Sequence, residues 1–110
     1  MPTNLPVIIV CMLDPLKLLA KYASCPDSLQ IVQTHSQAVA NKALKIAGNF
    51  AQADKKFILE AALLHDIGVF LVYAPKIYCS GQEPYIKHGI LGGEILRREG
   101  LLKHARVAET

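Results

Sequence analysis

The chain has 110 residues, enough for one domain with a modest core. It is 52% hydrophobic and 19% charged, which excludes a disordered or fibrous protein. The net charge is +3, and the twelve lysines and arginines are scattered singly or in pairs, so we expect no stable nucleic-acid complex, although a mildly positive surface suits an anionic substrate.

The cysteines and the hydropathy pattern indicate the cellular compartment in which the protein is expected. Cys11, Cys25 and Cys79 are odd in number and lack a CxxC spacing, which argues against a disulfide framework and a zinc-thiolate site. We therefore expect reduced cysteines in a cytoplasmic protein. The longest apolar run, residues 5–13, is far shorter than the roughly 20 residues that span a bilayer, so we expect no membrane anchor.

The first twelve residues fit poorly with the rest. We interpret residues 1–12 as an N-terminal extension and residues 13–110 as the domain. The extension is either a short segment packed on the domain or a disordered arm, and Met12 is a candidate for the true initiator. Asp14 as N-cap and Pro15 at the first helical position then predict a helix over residues 15–22, which residues 24–28 break.

A longer helix follows, capped by Asp27 or Ser28 and running to about Asn49. His35 lies in its apolar face, where a lone histidine is more often a core residue than a metal ligand. Lys42 projects to the same side, where it either reaches a substrate phosphate or lays its stem on the core. The other members of the predicted face are Ile31, Ala38, Val39, Ala43 and Ile46.

The central helix is predicted over residues 57–67, with Asp54 as its cap. Residues 61–67 are apolar on every side except at His65 and Asp66, so we expect this helix to be buried. A buried aspartate costs several kcal/mol unless it is paired or coordinates a cation. The two side chains could bracket one ion, or the pair could simply end the helix, with Gly68 supplying a left-handed turn.

Residues 69–85 lose the helical period and contain Pro75, Gly81 and Pro84, which predicts a long irregular loop. Because it follows His65 and Asp66, this loop either shapes a substrate pocket or is tethered to the core by its aromatic residues. Its candidate contacts for a base or a phosphate are Tyr73, Lys76, Tyr78 and Tyr85.

Two further helices are predicted, over residues 86–99 and 101–110, with Gly100 between them. His88 shares an arc with apolar residues and should point inward, and Gly92 one turn later leaves room beside its ring. His104 lies on a short, charged segment, where we expect an exposed surface histidine.

Taken together, three features resemble the HD superfamily of metal-dependent phosphohydrolases, in its HDIG subgroup. They are His35, the run His65-Asp66-Ile67-Gly68 thirty positions later, and His88 with the Gly92-Gly93 pair behind it. The resemblance covers nearly the whole chain. It implies an all-α fold, a bundle of about five helices with an irregular loop after the His-Asp pair.

The resemblance also implies a function and a metal site. The expected reaction is hydrolysis of a phosphomonoester or phosphodiester, with a nucleotide as the expected substrate. His35, His65 and Asp66 would hold a divalent metal ion, Asp66 would also act in catalysis, and His88 would serve a second ion or the substrate phosphate. Such ligands suit iron, manganese, zinc, nickel, cobalt or magnesium. Lys42, Lys76 and Tyr78 are the candidate substrate contacts.

Two positions depart from the family pattern. Val69 stands where many relatives carry a basic residue, and no aspartate follows Asp66 to complete the metal site. The later carboxylates are Glu94, Glu99 and Glu109, and none of them matches the pattern well. We therefore expect a C-terminally truncated HD domain that binds metal weakly and associates with itself. The alternatives are a non-catalytic regulatory or binding domain and a bundle whose histidines are structural.

Overall fold

The computed structural model describes residues 13–110. The predictions for residues 1–12, including the role of Met12, lie outside this part of the chain. Among the described residues, no helix combines the length and the apolarity that a bilayer crossing requires.

Five α-helices make up most of the described chain, and a two-stranded hairpin stands between the third and the fourth. This arrangement confirms the all-α class and the number of helices. The helices are α1 (Pro15–Tyr22), α2 (Pro26–Ala47), α3 (Lys55–Leu64), α4 (His88–Arg98) and α5 (Leu102–Glu109). The strands are β1 (Tyr73–Ala74) and β2 (Cys79–Ser80).

The helix starts follow local hydrogen bonding. Asp14 accepts from the backbone N–H of Lys17, and Asp54 accepts from that of Phe57, as predicted. The predicted cap of α2 was wrong: the N-cap is Cys25, because Pro26 takes the first helical position. Ser28 Oγ accepts from the Cys25 N–H at 3.2 Å and so completes this start from inside the helix.

The buried face of α2 differs from the predicted one. Ile31 and Ile46 are exposed, Ile46 by 54%, whereas Ser36 and Ala40 are buried. Ala40 packs with Ala62 and Leu63 of α3, because its small side chain allows the two helices to approach closely. Val39 of the predicted face is partly buried and packs against this contact.

The central helix is shorter than predicted. Helix α3 ends at Leu64, and His65 and Asp66 lie in a turn before a 3₁₀ segment, Ile67–Leu71. Residues 61–64 are buried as expected, and so is most of the 3₁₀ segment. The His-Asp pair is therefore held between two buried stretches of chain. The largest fully buried side chains of the surrounding core are Leu19, Leu64, Ile67, Ile95 and Leu96.

Residues 69–85 form a long segment without an α-helix, as predicted, but the segment also contains a short hairpin. Strands β1 and β2 pair antiparallel, with Tyr73 opposite Ser80 and Ala74 opposite Cys79. Short 3₁₀ turns lie within and after the hairpin, at Pro75–Ile77 and Tyr85–Lys87. Phe70, aliphatic side chains and Cys79 anchor the segment in the core, whereas its three tyrosines are exposed, so the tyrosines are not its tether.

A close backbone contact joins the 3₁₀ segment to α4. A Cβ atom on Gly68 would overlap the carbonyl oxygen of His88 and the backbone nitrogen of Gly92. The positive φ that we considered for Gly68 belongs instead to Gly100, at 81°. The room expected beside Gly92 is therefore filled by the backbone of Gly68.

His104 is not the exposed residue that we predicted. Helix α5 packs on α3, and the side chain of His104 is only 12% exposed. Its Nε2 lies 3.0 Å from Glu60 Oε1, and its ring contacts Phe57 edge-on. The amphipathic pattern of a helix of eight residues was too short to show which side another helix would cover.

Candidate metal centre

Three imidazole rings converge on the carboxylate of Asp66. His35 Nε2 lies 3.2 Å from Oδ2, and His65 Nε2 lies 3.3 Å from the same oxygen. His88 Nε2 lies 3.6 Å from the other oxygen, Oδ1. Helix α2, the turn after α3 and the first residue of α4 thus each bring a histidine to one acidic side chain.

The backbone orients two of these rings. The Nδ1 of His65 lies 2.6 Å from the carbonyl oxygen of Ala62, and the Nδ1 of His88 lies 2.8 Å from that of Tyr85. Donation from Nδ1 to these carbonyls assigns the proton of the neutral ring to Nδ1. The Nε2 lone pair of each neutral ring is then directed toward Asp66, the arrangement that metal-ligating histidines usually adopt.

The geometry of the cluster fits a divalent ion. The ligand atoms of His35, His65 and Asp66 all lie within 4.8 Å of one another. Two ligand atoms at about 2.1 Å from one tetrahedral ion lie about 3.4 Å apart. The distances from Oδ2 to the two Nε2 atoms are close to that value, so these residues can hold an ion with little movement.

The charge of the cluster also suits a cation. Burial opposes ionisation of Asp66, but the hydrogen bond that the protonated ring of His65 donates and the nearby imidazoles outweigh it and lower the pKa of the carboxyl. The same hydrogen bond raises the pKa of His65, against the effect of its burial. Asp66, whose side chain is 24% exposed, is therefore an ionised acceptor at neutral pH that the solvent still reaches.

Two depressions open beside Asp66. The larger, of about 450 Å³, lies among α2, α3, α5 and the start of α4. The smaller, of about 270 Å³, lies between α2 and the segment that follows Asp66. Asp66 lines both, whereas His65 and His88 line the first and His35 lines the second.

The structure does not bring the other candidate residues into this centre. Lys42, Lys76 and Tyr78 lie at exposed positions outside the lining of both depressions. The aromatic side chain that does reach it is that of Tyr85, whose ring lies 4.6 Å from the ring of His88. Tyr85 lines the smaller depression together with Ile77.

The later carboxylates are engaged elsewhere or exposed. Glu99 accepts from Lys21 at 2.8 Å and from the Tyr22 hydroxyl at 2.6 Å, and Glu109 pairs with Arg97. Glu94 is exposed on α4. Within residues 13–110, Asp66 is thus the one carboxylate of the metal cluster.

Two carbonyl groups were missed by sequence reasoning, those of Ala62 and Tyr85. Each belongs to the residue three positions before a histidine, a spacing that brings a side chain back to the preceding turn. That spacing was the available signal. It has predictive value only where the local chain is helical, which the sequence did not indicate for residue 85.

Comparison with known proteins shows the family of the chain. No solved structure matches the chain. The family model of the HD domain matches residues 32–110, which include His35, His65, Asp66 and His88. Because this match covers well over half of the sequence, the chain belongs to the HD domain family.

Proposed function

We propose that this protein is a metal-dependent hydrolase of phosphate esters. The observation that carries the proposal is the convergence of three imidazole Nε2 atoms on the two oxygens of one ionised aspartate. The HD family includes metal-dependent phosphohydrolases, which supports the same reaction class.

The roles of the residues follow from their positions. His35, His65 and the Oδ2 of Asp66 would hold one divalent ion, and His88 with Oδ1 would serve a second ion or the substrate phosphate. When bound, a divalent ion would supply Lewis-acid activation of a phosphoryl oxygen and of the attacking water. The metal is iron, manganese, zinc, nickel, cobalt or magnesium.

The protein's own groups prepare the site for an anionic ester. Asp66 stays ionised and so keeps a strong acceptor at the centre of the cluster. The Tyr85 carbonyl holds the Nδ1 of His88, and a proton on His88 Nε2 can then be donated to an oxygen of the phosphate. The turn that carries Asp66 is flanked by buried residues, which limits its movement.

A non-catalytic binding domain is the second candidate, and one feature favours it. The contacts from His35 and His65 to Asp66 lie within 3.3 Å, so hydrogen bonds can satisfy the cluster without an ion. A site with a single carboxylate also has a lower affinity for a divalent ion than a site with several carboxylates.

Metal content decides between the two candidates. Elemental analysis of protein purified without a histidine tag should find stoichiometric divalent metal in the wild type and none in His65→Ala/Asp66→Ala. Asp27→Ala, which removes an exposed carboxylate in the first turn of α2, is the matched control and should keep the metal. Metal-free wild type that does not take up any of the six ions would overturn the hydrolase proposal and leave the binding domain.

A further inference from the structure

The position of Asp66 between two depressions bears on what the site accepts. Each depression is lined by its own set of residues, and Asp66 is the side chain that they share. A phosphorus atom held beside Asp66 would therefore have space for one substituent in each depression. The larger depression falls within the usual size range of small-molecule sites, roughly 300–1,000 Å³.

The walls of both depressions are mainly apolar. Apart from the cluster residues and Thr110, the larger one is lined by aliphatic side chains and Phe57. The smaller one is lined by Tyr85 and by aliphatic residues such as Ile31 and Ile77. Among the described residues, neither lining includes a lysine or an arginine.

The lack of cationic side chains in both linings favours some classes of phosphate ester over others as substrates. In addition to metal ions, sites for phosphate dianions and polyphosphates commonly use arginine or lysine to balance the additional negative charge. A phosphodiester carries a single negative charge and two substituents. It therefore matches both the charge of the lining and the presence of two depressions, whereas a monoester would leave one depression empty.

Building on the proposed hydrolase function, we propose that the substrate is a phosphodiester with apolar or aromatic groups on both ester oxygens. In the reaction, a water oxygen forms a new P–O bond as one ester P–O bond breaks. One proton of the water goes to the leaving alkoxide, and the products are an alcohol and a phosphomonoester. The second proton stays on the new P–OH group and is then lost to solvent. The monoester, now with a second negative charge, fits the apolar site less well and is released.

The test compares two esters that share a leaving group. Metal-loaded protein should hydrolyse bis(para-nitrophenyl) phosphate with a kcat/KM at least about tenfold above that for para-nitrophenyl phosphate, the discrimination that one apolar group can supply. Calorimetry provides a second readout without turnover: diphenyl phosphate should bind more tightly than phenyl phosphate.

Variants of the larger depression sharpen the comparison. Ala43→Phe places a ring in the depression and should lower kcat/KM for the diester and weaken diphenyl phosphate binding, each by about tenfold. Ala38→Phe, the same change at an exposed position of α2 outside both linings, is the control. Thr110→Lys adds a cation to the wall and should shift the preference toward the monoester.

The outcomes separate this inference from the proposed function. Faster hydrolysis of the monoester or of a nucleoside triphosphate would overturn the inference and leave the hydrolase standing. An equal loss in Ala43→Phe and Ala38→Phe would also overturn it. Diphenyl phosphate binding without turnover of any ester would overturn the hydrolase proposal and the substrate assignment together.

Discussion

Gly68 has a steric role in the cluster, although it contributes no side chain to it. Its Cα lies against the first turn of α4, where a Cβ would meet backbone atoms of His88 and Gly92. Backbone atoms cannot move aside as the end of a flexible side chain can. Because Asp66 is two residues before Gly68 and His88 begins α4, this contact sets the separation between them.

We therefore expect Gly68→Ala to destabilise the protein and to disturb the metal centre. Overpacking usually lowers the free energy of unfolding by about 1–3 kcal/mol. A clash with backbone atoms should lower it by at least the upper value of that range. Urea unfolding measures the stability, and metal titration measures the centre. Gly48→Ala is the control, since Gly48 has a right-handed helical φ and a Cβ there meets only ordinary to slightly tight contacts. Equal stability of both variants would contradict the steric role.

The terminal parts of the bundle are joined by a polar contact between α1 and α4. Glu99, which caps the end of α4, accepts from Lys21 and from the hydroxyl of Tyr22. The hydrogen bond from Lys21 is the main cause of a lowered pKa at Glu99, followed by that from Tyr22. The contact fixes the helix that precedes α2 to the helix that carries His88.

This contact makes a pH-dependent contribution to stability. Because the pKa of Glu99 is lowered in the folded protein, the contribution is complete above the unfolded value of about 4.5 and is lost as the pH falls through the lower, folded value. Glu99→Gln should lower the Tm by about 2 °C at pH 7, on the scale of a surface ion pair. This difference should shrink below pH 4.5.

Thermal unfolding from pH 7 to pH 3 checks that expectation. Glu94→Gln, at an exposed position of the same helix, should show no such pH-dependent difference from the wild type. A Glu99→Gln difference that stays constant over the whole range would mean that the charge of Glu99 is not its source.

The hairpin could not be predicted because its residues show no regular sequence pattern. Residues 69–85 have no continuous period because the chain changes direction at each short 3₁₀ turn and strand. Two residues per strand are too few for an alternation to be visible in the sequence. Burial of Val69, Phe70, Val72 and Cys79 holds the segment in place.

Over the whole molecule, the cluster joins parts of the chain that are distant in sequence. His35 comes from α2, Asp66 from the turn after α3, and His88 from α4. An ion that binds only the folded chain stabilises it by RT ln(1 + [L]/Kd), about 2.7 kcal/mol at a hundredfold excess over Kd. Metal binding should therefore stabilise the fold as well as form the site.

We expect saturating metal to raise the Tm of the wild type by about 10 °C, the shift that such an energy produces in a domain of this size. His65→Ala/Asp66→Ala should show no shift, and Asp27→Ala should shift like the wild type. Differential scanning fluorimetry with and without a chelator measures both. A shift of the same size in the double variant would show that the ion binds at another place.

Self-association of the protein stays a prediction, and exposed apolar side chains on the surface are compatible with it. Ile90 is exposed in the first turn of α4, and Tyr85 and Ile86 are exposed in the 3₁₀ turn before it. Such neighbouring apolar side chains are typical of surfaces that bind a partner. A homo-oligomer accordingly stays an expectation from the sequence.

Much of the secondary structure could be predicted because its signals are local. Asp14 and Asp54 each bond to an amide three residues away, and Pro15 needs only its own φ, so neither depends on the rest of the fold. The His65-Asp66 pair was likewise visible as a polar interruption in an apolar helix. The family assignment, based on these residues with His35 and His88, was confirmed.

Contacts between distant segments could not be predicted in the same way. The sequence by itself determined the all-helical class, most helix starts and the candidate ligands, because hydrogen bonds and side-chain periodicity act over a few residues. Only the tertiary structure decided that α2 buries Ser36 and Ala40 rather than Ile31 and Ile46, and that His104 is covered by α3. It also decided that three imidazoles meet on Asp66, because packing of whole helices sets which surfaces face one another.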